Sequence, residues 1–266
     1  MTRNVPPEQL AGATYEQMAP FYDELTAHHD YELYARSLLP AAAKHGLSGR
    51  RLLDVGCGTG KSFAPMARRG WDVTACDISP RMLERARSRA ERGARLEVAD
   101  MRALPRLGWF NLVWSLGDAM NYLLSTAELT SALTGMRRNL APDGIVLFDL
   151  NTLRTYRTFY AETWAEPCER ARVVWTGRVD PRWRGGGLAR AVMRVDGRRT
   201  RAAHLEHRQR HFRPREVLRC LERAGLVPLA VYGFESDAVF EQPLDERRHT
   251  KSLFIARRGG RKVERR

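Results

Sequence analysis

Short apolar runs alternate with longer helix-forming segments through the first 150 residues of this 266-residue chain. Each apolar run ends beside a glycine, a serine or an acid. Strands are therefore predicted at 52–55, 72–77, 95–100, 110–115 and 145–149. Because strands that alternate with helices form a parallel sheet covered on both faces, the pattern predicts an α/β fold with a doubly wound sheet.

Capping residues mark the helix boundaries. Ser79-Pro80 predicts a helix start, and helix-forming residues continue it over 81–92. A Ser-Thr-Ala-Glu capping box opens a helix over about 125–140, and Ala-Pro-Asp-Gly at 141–144 predicts a turn into the fifth strand. A further helix is predicted from Pro214 to about Ala224.

The pattern changes to strict alternation after residue 170, which indicates antiparallel strands at 171–179, 188–196 and 201–212. Turn signals stand at Gly185–Gly187 and Asp196-Gly197. The last two strands are expected near 227–233 and 250–256. The chain therefore inserts an antiparallel sheet before it completes the main sheet.

A glycine-rich turn carries the most specific chemical signal. Residues 52–60 read Leu-Leu-Asp-Val-Gly-Cys-Gly-Thr-Gly. Glycine is needed where a backbone turns sharply against a ligand, because a Cβ would block both. Lys61 stands where a dinucleotide-binding loop has its third glycine, and Asp54 precedes the first glycine. The pattern disfavours a nicotinamide dehydrogenase and resembles the S-adenosylmethionine (SAM) loop of class I methyltransferases.

Acidic residues follow the predicted strands. Asp77 lies 21 residues after Gly56, a suitable place for a carboxylate that accepts hydrogen bonds from two ribose hydroxyls. The resemblance implies that Asp100 and its neighbour contact the adenine. Ligands of parallel sheets bind where the strands end, and Asp118 and Asp149 also fall there.

Further motifs narrow the resemblance to small-molecule methyltransferases related to glycine N-methyltransferase and the aminosugar N-methyltransferases. They are Tyr15, Phe21–Asp23, Asp30–Tyr31, Gly117–Tyr122, Phe148–Thr152 and Glu206–Arg210. The first three are similar to a helical lid whose aromatic residue lies against the SAM sulfonium. The fourth is similar to the segment bordering the transferred methyl, the fifth to the segment after the fifth strand, and the last to an insert strand lining the substrate cavity. Tyr34 departs from the group, in which many members have tryptophan.

The resemblance implies a set of site residues. Cofactor binding is assigned to Tyr15, Tyr22, Tyr34, Asp54, Gly56, Cys57, Gly58, Gly60, Asp77, Ile78, Met82, Asp100, Met101, Leu116 and Asp118. Substrate binding is assigned to Asn121, Tyr122, Asn151, His207, Arg208 and Arg210. Asp118, Tyr22 and His207 are assigned to catalysis, and no metal is expected.

The chain is expected to divide into four parts. Residues 1–45 form an N-terminal helical lid, 46–151 with 213–257 form the SAM-binding core, 152–212 form an inserted substrate lid, and 258–266 form a basic tail. The expected fold is a Rossmann-like, doubly wound seven-stranded sheet with an antiparallel β lid inserted after the fifth strand.

Positive charge is concentrated outside the predicted core. Of the net charge of +14, residues 170–215 contribute +11 and residues 257–266 contribute +5, which leaves −2 for the rest. A basic wall beside a methyl-transfer site suits an acceptor with an anionic handle, for which Arg208 and Arg210 are the candidates. The alternative is that the arginines face water and follow genome composition.

No residue is marked as a strong base. A hydroxyl acceptor needs one, whereas an amine must arrive neutral. The nearest acids are Asp118 and Asp149, and the candidate histidines are His28, His29, His204, His207 and His211. A metal site on the three insert histidines is a lesser alternative, because no carboxylate or cysteine completes it. An aromatic box around the acceptor, or packing of the insert, is the expected use of Phe159, Trp164, Trp175 and Trp183.

Two functional classes stay open: methylation of a small metabolite or natural product such as an amino sugar, on nitrogen or alternatively on oxygen, and methylation of nucleic acid such as tRNA through phosphate contacts of the basic segments. A SAM-binding scaffold without catalysis is a third class.

The sequence indicates a cytoplasmic protein with no membrane segment. Its cysteines are widely spaced, it has no 18-residue apolar run, and its N-terminus lacks a signal-like apolar stretch. The oligomeric state is open, a homodimer included.

Overall fold

Two sheets organise the chain. The computed structural model describes residues 10–90, 93–168, 171–180, 186–195, 201–235 and 237–259; within 163–210, it describes side chains only at 163–165, 174–178 and 205–210. The strands are β1 (Arg51–Val55), β2 (Asp72–Asp77), β3 (Arg95–Val98), β4 (Phe110–Ser115), β5 (Leu140–Asn151), β6 (Thr163–Cys168), β7 (Ala171–Asp180), β8 (Gly186–Val195), β9 (Arg201–Arg210), β10 (Leu226–Phe234) and β11 (Lys251–Arg258).

The larger sheet has the order β3-β2-β1-β4-β5-β11-β10 among the described strands. Strands β1 to β5 pair in parallel, whereas β11 runs antiparallel to both β5 and β10. The strand order reverses between β1 and β4, and ligands of doubly wound sheets bind at such a switch point. The predicted Rossmann-like seven-stranded sheet is confirmed.

The described helices are α1 (Leu10–Met18), α2 (Tyr22–Leu25), α3 (Tyr31–Lys44), α4 (Ala64–Arg68), α5 (Pro80–Ala86), α6 (Thr126–Arg138), α7 (Leu153–Arg157) and α8 (Pro214–Arg223). Three of these eight described helices, α5, α6 and α8, begin where the sequence predicts. The Met82 N–H donates to Ser79 Oγ at 3.2 Å, and Ser125 and Glu128 form the expected reciprocal capping box. Local sequence therefore fixes where these helices start.

The ends of two elements differ from the prediction. Helix α5 stops at Ala86 and continues only as a 3-10 turn over Arg87–Arg89, while Arg92 lies outside the described residues. Strand β3 stops at Val98, because Asp100 instead caps a 3-10 turn by accepting from the Arg102 N–H.

Residues 141–144 lie inside β5 rather than in a turn before it, so that prediction is wrong. Phe110 of β4 pairs with Leu140, and Leu112 pairs with Ile145. The register thus shifts by three residues, and the strand absorbs the Ala-Pro-Asp-Gly segment as an irregularity.

The predicted antiparallel insert is present as the sheet β6-β7-β8-β9. Strand β6 has no counterpart in the prediction, because it contains Pro167, which an edge strand tolerates and a central strand does not. Gly186 and Gly187 belong to β8, whereas the other turn signals and one tryptophan lie outside the described residues, namely Gly185, Asp196, Gly197 and Trp183.

Helix α1 bridges the insert and the main sheet. Thr14 Oγ1 donates to the Glu206 carbonyl of β9 at 3.0 Å, and Glu16 accepts from the Ser79 hydroxyl and the Arg81 N–H at the start of α5, at 2.6 and 3.0 Å. Met18 packs beside Leu205 of β9 in the same apolar cluster. These contacts hold the N-terminal helices across the ligand-binding edge of the sheet.

The chain's last described strand reaches into the predicted basic tail. Strand β11 ends at Arg258, so any tail starts later than expected, and residues 260–266 lie outside the described part. In the described ranges, no helix has both the length and the apolar character needed to cross a bilayer.

Candidate active site

The glycine loop follows β1 and is held against β2. The N–H groups of Gly56 and Cys57 donate to the Cys76 carbonyl at 2.8 and 3.0 Å. Gly56 and Gly58 have φ values of +76° and +55°, in the left-handed region that side chains disfavour. A Cβ on Gly56 would lie 3.0 Å from the Cβ of Ala119, so a larger residue would push into the neighbouring wall.

A cavity borders this loop; we call it the glycine-loop cavity. Its lining includes ten residues of the expected cofactor set: Tyr15, Tyr22, Gly56, Cys57, Gly58, Asp77, Ile78, Asp100, Met101 and Leu116. Carboxylates beside apolar side chains match the hydroxyls and flat base of a nucleoside. The residues present therefore fit SAM.

Two carboxylates of the glycine-loop cavity are fixed by their neighbours. Asp77 accepts from the Gly58 and Ser79 N–H groups at 2.8 and 2.9 Å. Burial raises the pKa of Asp77, and these backbone bonds oppose the shift. Arg102 Nε donates to both oxygens of Asp100, at 2.9 and 3.0 Å. A carboxylate oxygen accepts up to two hydrogen bonds, so Asp77 keeps capacity for a ligand, whereas each oxygen of Asp100 already accepts two contacts from Arg102.

A second cavity, with an empty volume of about 1390 Å³, adjoins the first; we call it the aromatic cavity. Tyr15, Tyr22 and Tyr122 line both cavities. Four aromatic residues from the segment 159–175 also line the aromatic cavity: Phe159, Tyr160, Trp164 and Trp175. The rings of Trp164 and Trp175 stack with centroids 5.2 Å apart, so these tryptophans both pack together and face the cavity.

Hydrogen bonds connect the lid, the core and the insert at this junction. The Tyr15 hydroxyl donates to the Tyr122 hydroxyl at 2.9 Å, and the Tyr122 hydroxyl lies 2.7 Å from His207 Nδ1. Burial lowers the pKa of His207 to about 3, so this histidine is neutral near physiological pH.

Asp118 lies where the two cavities meet. Its neighbours Gly117 and Ala119 line the glycine-loop cavity, whereas Asp118 itself lines the aromatic cavity. Its φ is +58°, a conformation that its surroundings must hold. Gln209 Nε2 and Asn151 Nδ2 donate to Asp118 Oδ2 at 2.5 and 3.1 Å. Burial raises the pKa of Asp118, and the nearby Lys251 and Gln209 oppose the shift.

Besides Asp118, four residues of the expected cofactor set do not line the glycine-loop cavity. Asp54 is buried behind the loop and accepts from Ser62 Oγ at 2.5 Å; burial raises its pKa to about 7. A Cβ on Gly60 would lie 2.6 Å from the Phe63 ring. Met82 packs under the lid, in the cluster with Met18. Tyr34 lines the aromatic cavity and meets the Phe234 ring edge-on, with centroids 5.8 Å apart.

Only some of the expected substrate residues line the aromatic cavity. Tyr122, Asn151 and His207 line the aromatic cavity. Asn121 does not: it is buried, donating from Nδ2 to the Arg210 carbonyl and accepting from the Asn151 N–H, both at 2.9 Å.

Arg208 and Arg210 do not line the aromatic cavity either. Since alternate residues of a strand point to opposite faces, both lie away from His207. Arg208 pairs with Glu206 at 3.1 Å and Arg210 with Glu216 at 2.9 Å.

The other candidate histidines differ in their surroundings. His211 Nε2 pairs with Glu246 at 2.5 Å, and the His204 side chain lies outside the described part. His28 and His29 line the aromatic cavity from the lid side. Among the described side chains, no three histidine, cysteine, aspartate or glutamate residues are grouped as a metal site would require.

Several lining residues are absent from the set of assigned site residues, although Tyr31 and Gln209 belong to motifs that carry the sequence resemblance. Tyr31 and Lys61 line the glycine-loop cavity, and Gln209 and Lys251 line the aromatic cavity. Lys251 is the first residue of β11, and an antiparallel strand begins at the edge where parallel strands end. That topological signal could have identified it; Gln209 would have required the correct face of β9.

The geometry described above agrees with a family match. Residues 52–144 match the family model described as a methyltransferase domain. This chain contains a methyltransferase domain. The resemblance to class I SAM-dependent methyltransferases that the glycine loop predicts is confirmed, and with it SAM as the cofactor of this domain.

Relatives and a solved structure define what the chain is similar to. A Geobacillus sp. (strain WCH70) protein named only by the methyltransferase class is 33% identical over 148 residues, which cover 54% of this chain and 59% of that protein. The dTDP-3-amino-3,4,6-trideoxy-alpha-D-glucopyranose N,N-dimethyltransferase of Streptomyces venezuelae is 32% identical over 121 residues, 45% of this chain and 50% of that enzyme. The matches thus span about half to six-tenths of these relatives. A SAM-dependent methyltransferase structure from Clostridium acetobutylicum ATCC 824 shares the fold, with a TM-score of 0.78 at 19% identity over 92% of this chain and 99% of that one.

Proposed function

We propose that this protein transfers the methyl group of SAM to an amine of a small-molecule acceptor, such as an amino sugar. The observation that carries the proposal is the junction of the two cavities at Tyr15, Tyr22 and Tyr122. The glycine-loop cavity fits the cofactor, and the aromatic cavity has room for an acceptor. Three side chains separate the two compartments, which suits transfer of a single small group between them.

The charge of the aromatic cavity favours an amine. Among the described side chains that line it, Asp30 and Asp118 carry negative charge and Lys251 carries positive charge. Lys251 is itself paired with the buried Asp149. Carboxylates and aromatic faces attract an ammonium group and disfavour a phosphate. The Streptomyces relative, named as an amino-sugar N,N-dimethyltransferase, agrees with this acceptor class.

The anionic handle expected from the basic insert receives less support. Its two candidates, Arg208 and Arg210, lie on the opposite strand face and pair with glutamates. An anionic group of the acceptor would therefore have to extend outside the aromatic cavity.

The residues around the junction suit methyl transfer to nitrogen. SAM supplies a methyl group that its sulfonium already activates. An arriving ammonium must lose a proton to expose its lone pair, and the Asp118 carboxylate, whose pKa is raised by burial, is placed to accept it. Burial also raises the pKa values of Tyr15, Tyr22 and Tyr122, so their hydroxyls stay protonated and orient neighbours by hydrogen bonds.

The test is a pooled incubation with SAM. Nucleotide-linked and free amino sugars, other natural-product amines, hydroxylated analogues without an amine, and tRNA form four separate pools. We expect release of S-adenosylhomocysteine and gain of one methyl mass in an amine pool, both absent with the Gly58→Val variant. Methylation confined to the hydroxylated analogues would favour the oxygen alternative, and methylation confined to tRNA would favour the nucleic-acid alternative; either contradicts the proposal.

A further inference from the structure

Lys251 places a cation between two carboxylates at the wall of the aromatic cavity. Its ammonium lies 2.8 Å from Asp149 Oδ2 and 3.9 Å from Asp118 Oδ1. The antiparallel register sets Lys251 opposite Asn151, at the end of β5. The Lys251 side chain is 19% exposed, whereas that of Asp149 is fully buried. The lysine therefore lies between the buried carboxylate of Asp149 and the carboxylate of Asp118, which faces the cavity.

The two carboxylates are also directly connected. The Asp118 N–H donates to Asp149 Oδ1 at 3.2 Å, so any rearrangement of Asp149 moves the backbone that holds Asp118 in its left-handed conformation. Carboxylates this close in a buried site repel each other, and without a cation one of them takes up a proton. Burial lowers the pKa of Lys251, but Asp149 and Asp118 outweigh that effect and raise it, so the lysine stays charged.

We propose that Lys251 is a positioning residue: its ammonium neutralises Asp149 and leaves Asp118 as the carboxylate that faces the cationic group at the methyl-transfer position. The proposal rests on the proposed function, because it assumes that a cation is handled there. Gln209 and Asn151 complete the shell around Asp118. Among the described side chains, the other titratable groups coupled to Asp118 are tyrosines kept protonated by their raised pKa values: Tyr15, Tyr22, Tyr31, Tyr34, Tyr122, Tyr156 and Tyr160. Burial lowers the pKa values of His29 and His207 to about 3, so these two histidines of the aromatic cavity are neutral, and His28 and Asp30 also line that cavity.

The test uses two cofactor analogues and needs no acceptor. Sinefungin carries a protonated amine where SAM carries its transferable methyl, whereas S-adenosylhomocysteine is uncharged at that position. Isothermal titration gives the dissociation constant of each analogue for the full chain at about pH 6 and about pH 8. The ratio of the two constants isolates the electrostatic environment of the methyl-transfer position from the rest of the cofactor contacts.

The wild type and three variants separate the effect of the Lys251 charge on sinefungin affinity from the effect of its packing. In the wild type, we expect the sinefungin affinity to change little with pH. In Lys251→Met, the two carboxylates share a proton, so the sinefungin affinity should rise by about tenfold from the lower to the higher pH while the S-adenosylhomocysteine affinity stays constant. Lys251→Arg should restore the flat profile. The double variant Lys251→Met/Asp149→Asn should also be flat, because Asp118 is then the remaining carboxylate of the pair.

The double variant keeps the test decisive if Lys251→Met fails to fold, since it removes both charges of the buried pair together. Three results would overturn the proposal. They are an equal loss of affinity for both analogues in Lys251→Met, a sinefungin affinity that does not change with pH in that variant, and a sinefungin affinity that changes with pH in the double variant. Failure of the wild type to bind either analogue would instead contradict the proposed function. The two failures are therefore distinguishable.

Discussion

The hydroxyl of Tyr122 lies 2.7 Å from Nδ1 of His207, and this contact joins the main sheet to the insert at the junction of the two cavities. Tyr15 of α1 donates to the same hydroxyl at 2.9 Å. The lid, the core and the insert therefore meet in one hydrogen-bonded chain. Loss of the Tyr122 hydroxyl, which is the middle group of this chain, therefore affects the lid, the core and the insert.

Tyr122→Phe should leave the Tyr15 hydroxyl and the buried His207 nitrogen without their partner. An unmet buried polar group costs about 1–3 kcal/mol, so we expect the free energy of unfolding in urea to fall by that order. Tyr232→Phe is the matched control, because it removes a single 3.1 Å contact to the half-buried His45 and should cost less. Equal losses in the two variants would contradict a special role for the junction.

The buried His207 should make the fold sensitive to acid. Its pKa is lowered from 6.5 to about 3, so between these values the unfolded chain binds a proton that the native state excludes. The stabilisation is present above pH 6.5 and falls as the pH drops, by about 2 kcal/mol at about pH 5. Urea unfolding at neutral and acidic pH measures it. His207→Gln should reduce the difference between the two pH values, whereas replacement of the exposed His28 should leave it unchanged.

Cofactor affinity should depend on Asp77 and on the glycine loop. Asp77→Ala removes the carboxylate placed for the ribose hydroxyls, and loss of hydrogen bonds to a charged group costs about 1.5–3 kcal/mol each, or roughly tenfold or more in SAM affinity by isothermal titration. Gly58→Val should abolish binding, because φ is +55° there and the Tyr22 ring lies 3.7 Å from the Cβ position. Asp143→Ala in the exposed segment of β5 is the control. Unchanged SAM binding in both loop variants would contradict the cofactor assignment.

The glycine loop also holds the lid. Thr59 Oγ1 donates to Asp23 at 2.6 Å, and the Lys61 ammonium donates to the Thr26 carbonyl. We therefore expect hydrogen exchange over residues 12–35 to slow when S-adenosylhomocysteine binds, and to be faster in Lys61→Met than in the wild type. Lys44→Met at the exposed end of α3 should not change it. Identical lid protection with and without the ligand would count against a gating lid.

The parts of the site that the sequence predicts are those made by contiguous segments. The glycine loop and the acids after β2 and β3 have fixed positions relative to their strands, so motif spacing is enough to place Gly56, Asp77 and Asp100. Lys251 comes to Asp149 through strand pairing across 102 residues, and no local pattern reveals that contact. Asp54, Gly60 and Met82 match the motif yet support the loop and lid from behind, because spacing does not separate contact from support.

Strand β9 shows why a face can be misassigned. Alternate side chains of a strand point to opposite faces, so a shift of one residue moves every side chain to the other face. A pattern of alternating apolar residues normally determines which set faces the core. Here polar residues occupy both faces, with His207 and Gln209 towards the cavity and Arg208 and Arg210 away from it. The sequence therefore leaves the phase undetermined, and only packing against α1 and the core decides it.

The two faces of β9 supply the last prediction. Once the incubation described above identifies an acceptor, Arg208→Gln should leave its Michaelis constant within about twofold, because Arg208 does not line the aromatic cavity and pairs with Glu206 instead. Gln209→Leu, one residue further, removes the 2.5 Å hydrogen bond to Asp118 and should lower kcat/KM by at least about tenfold. Steady-state kinetics at low and high salt measure both variants, with the SAM dissociation constant as the control for folding. If Arg208→Gln and added salt raised the acceptor's Michaelis constant while Gln209→Leu did not, an anionic handle bound by the basic face would replace the amine-centred assignment.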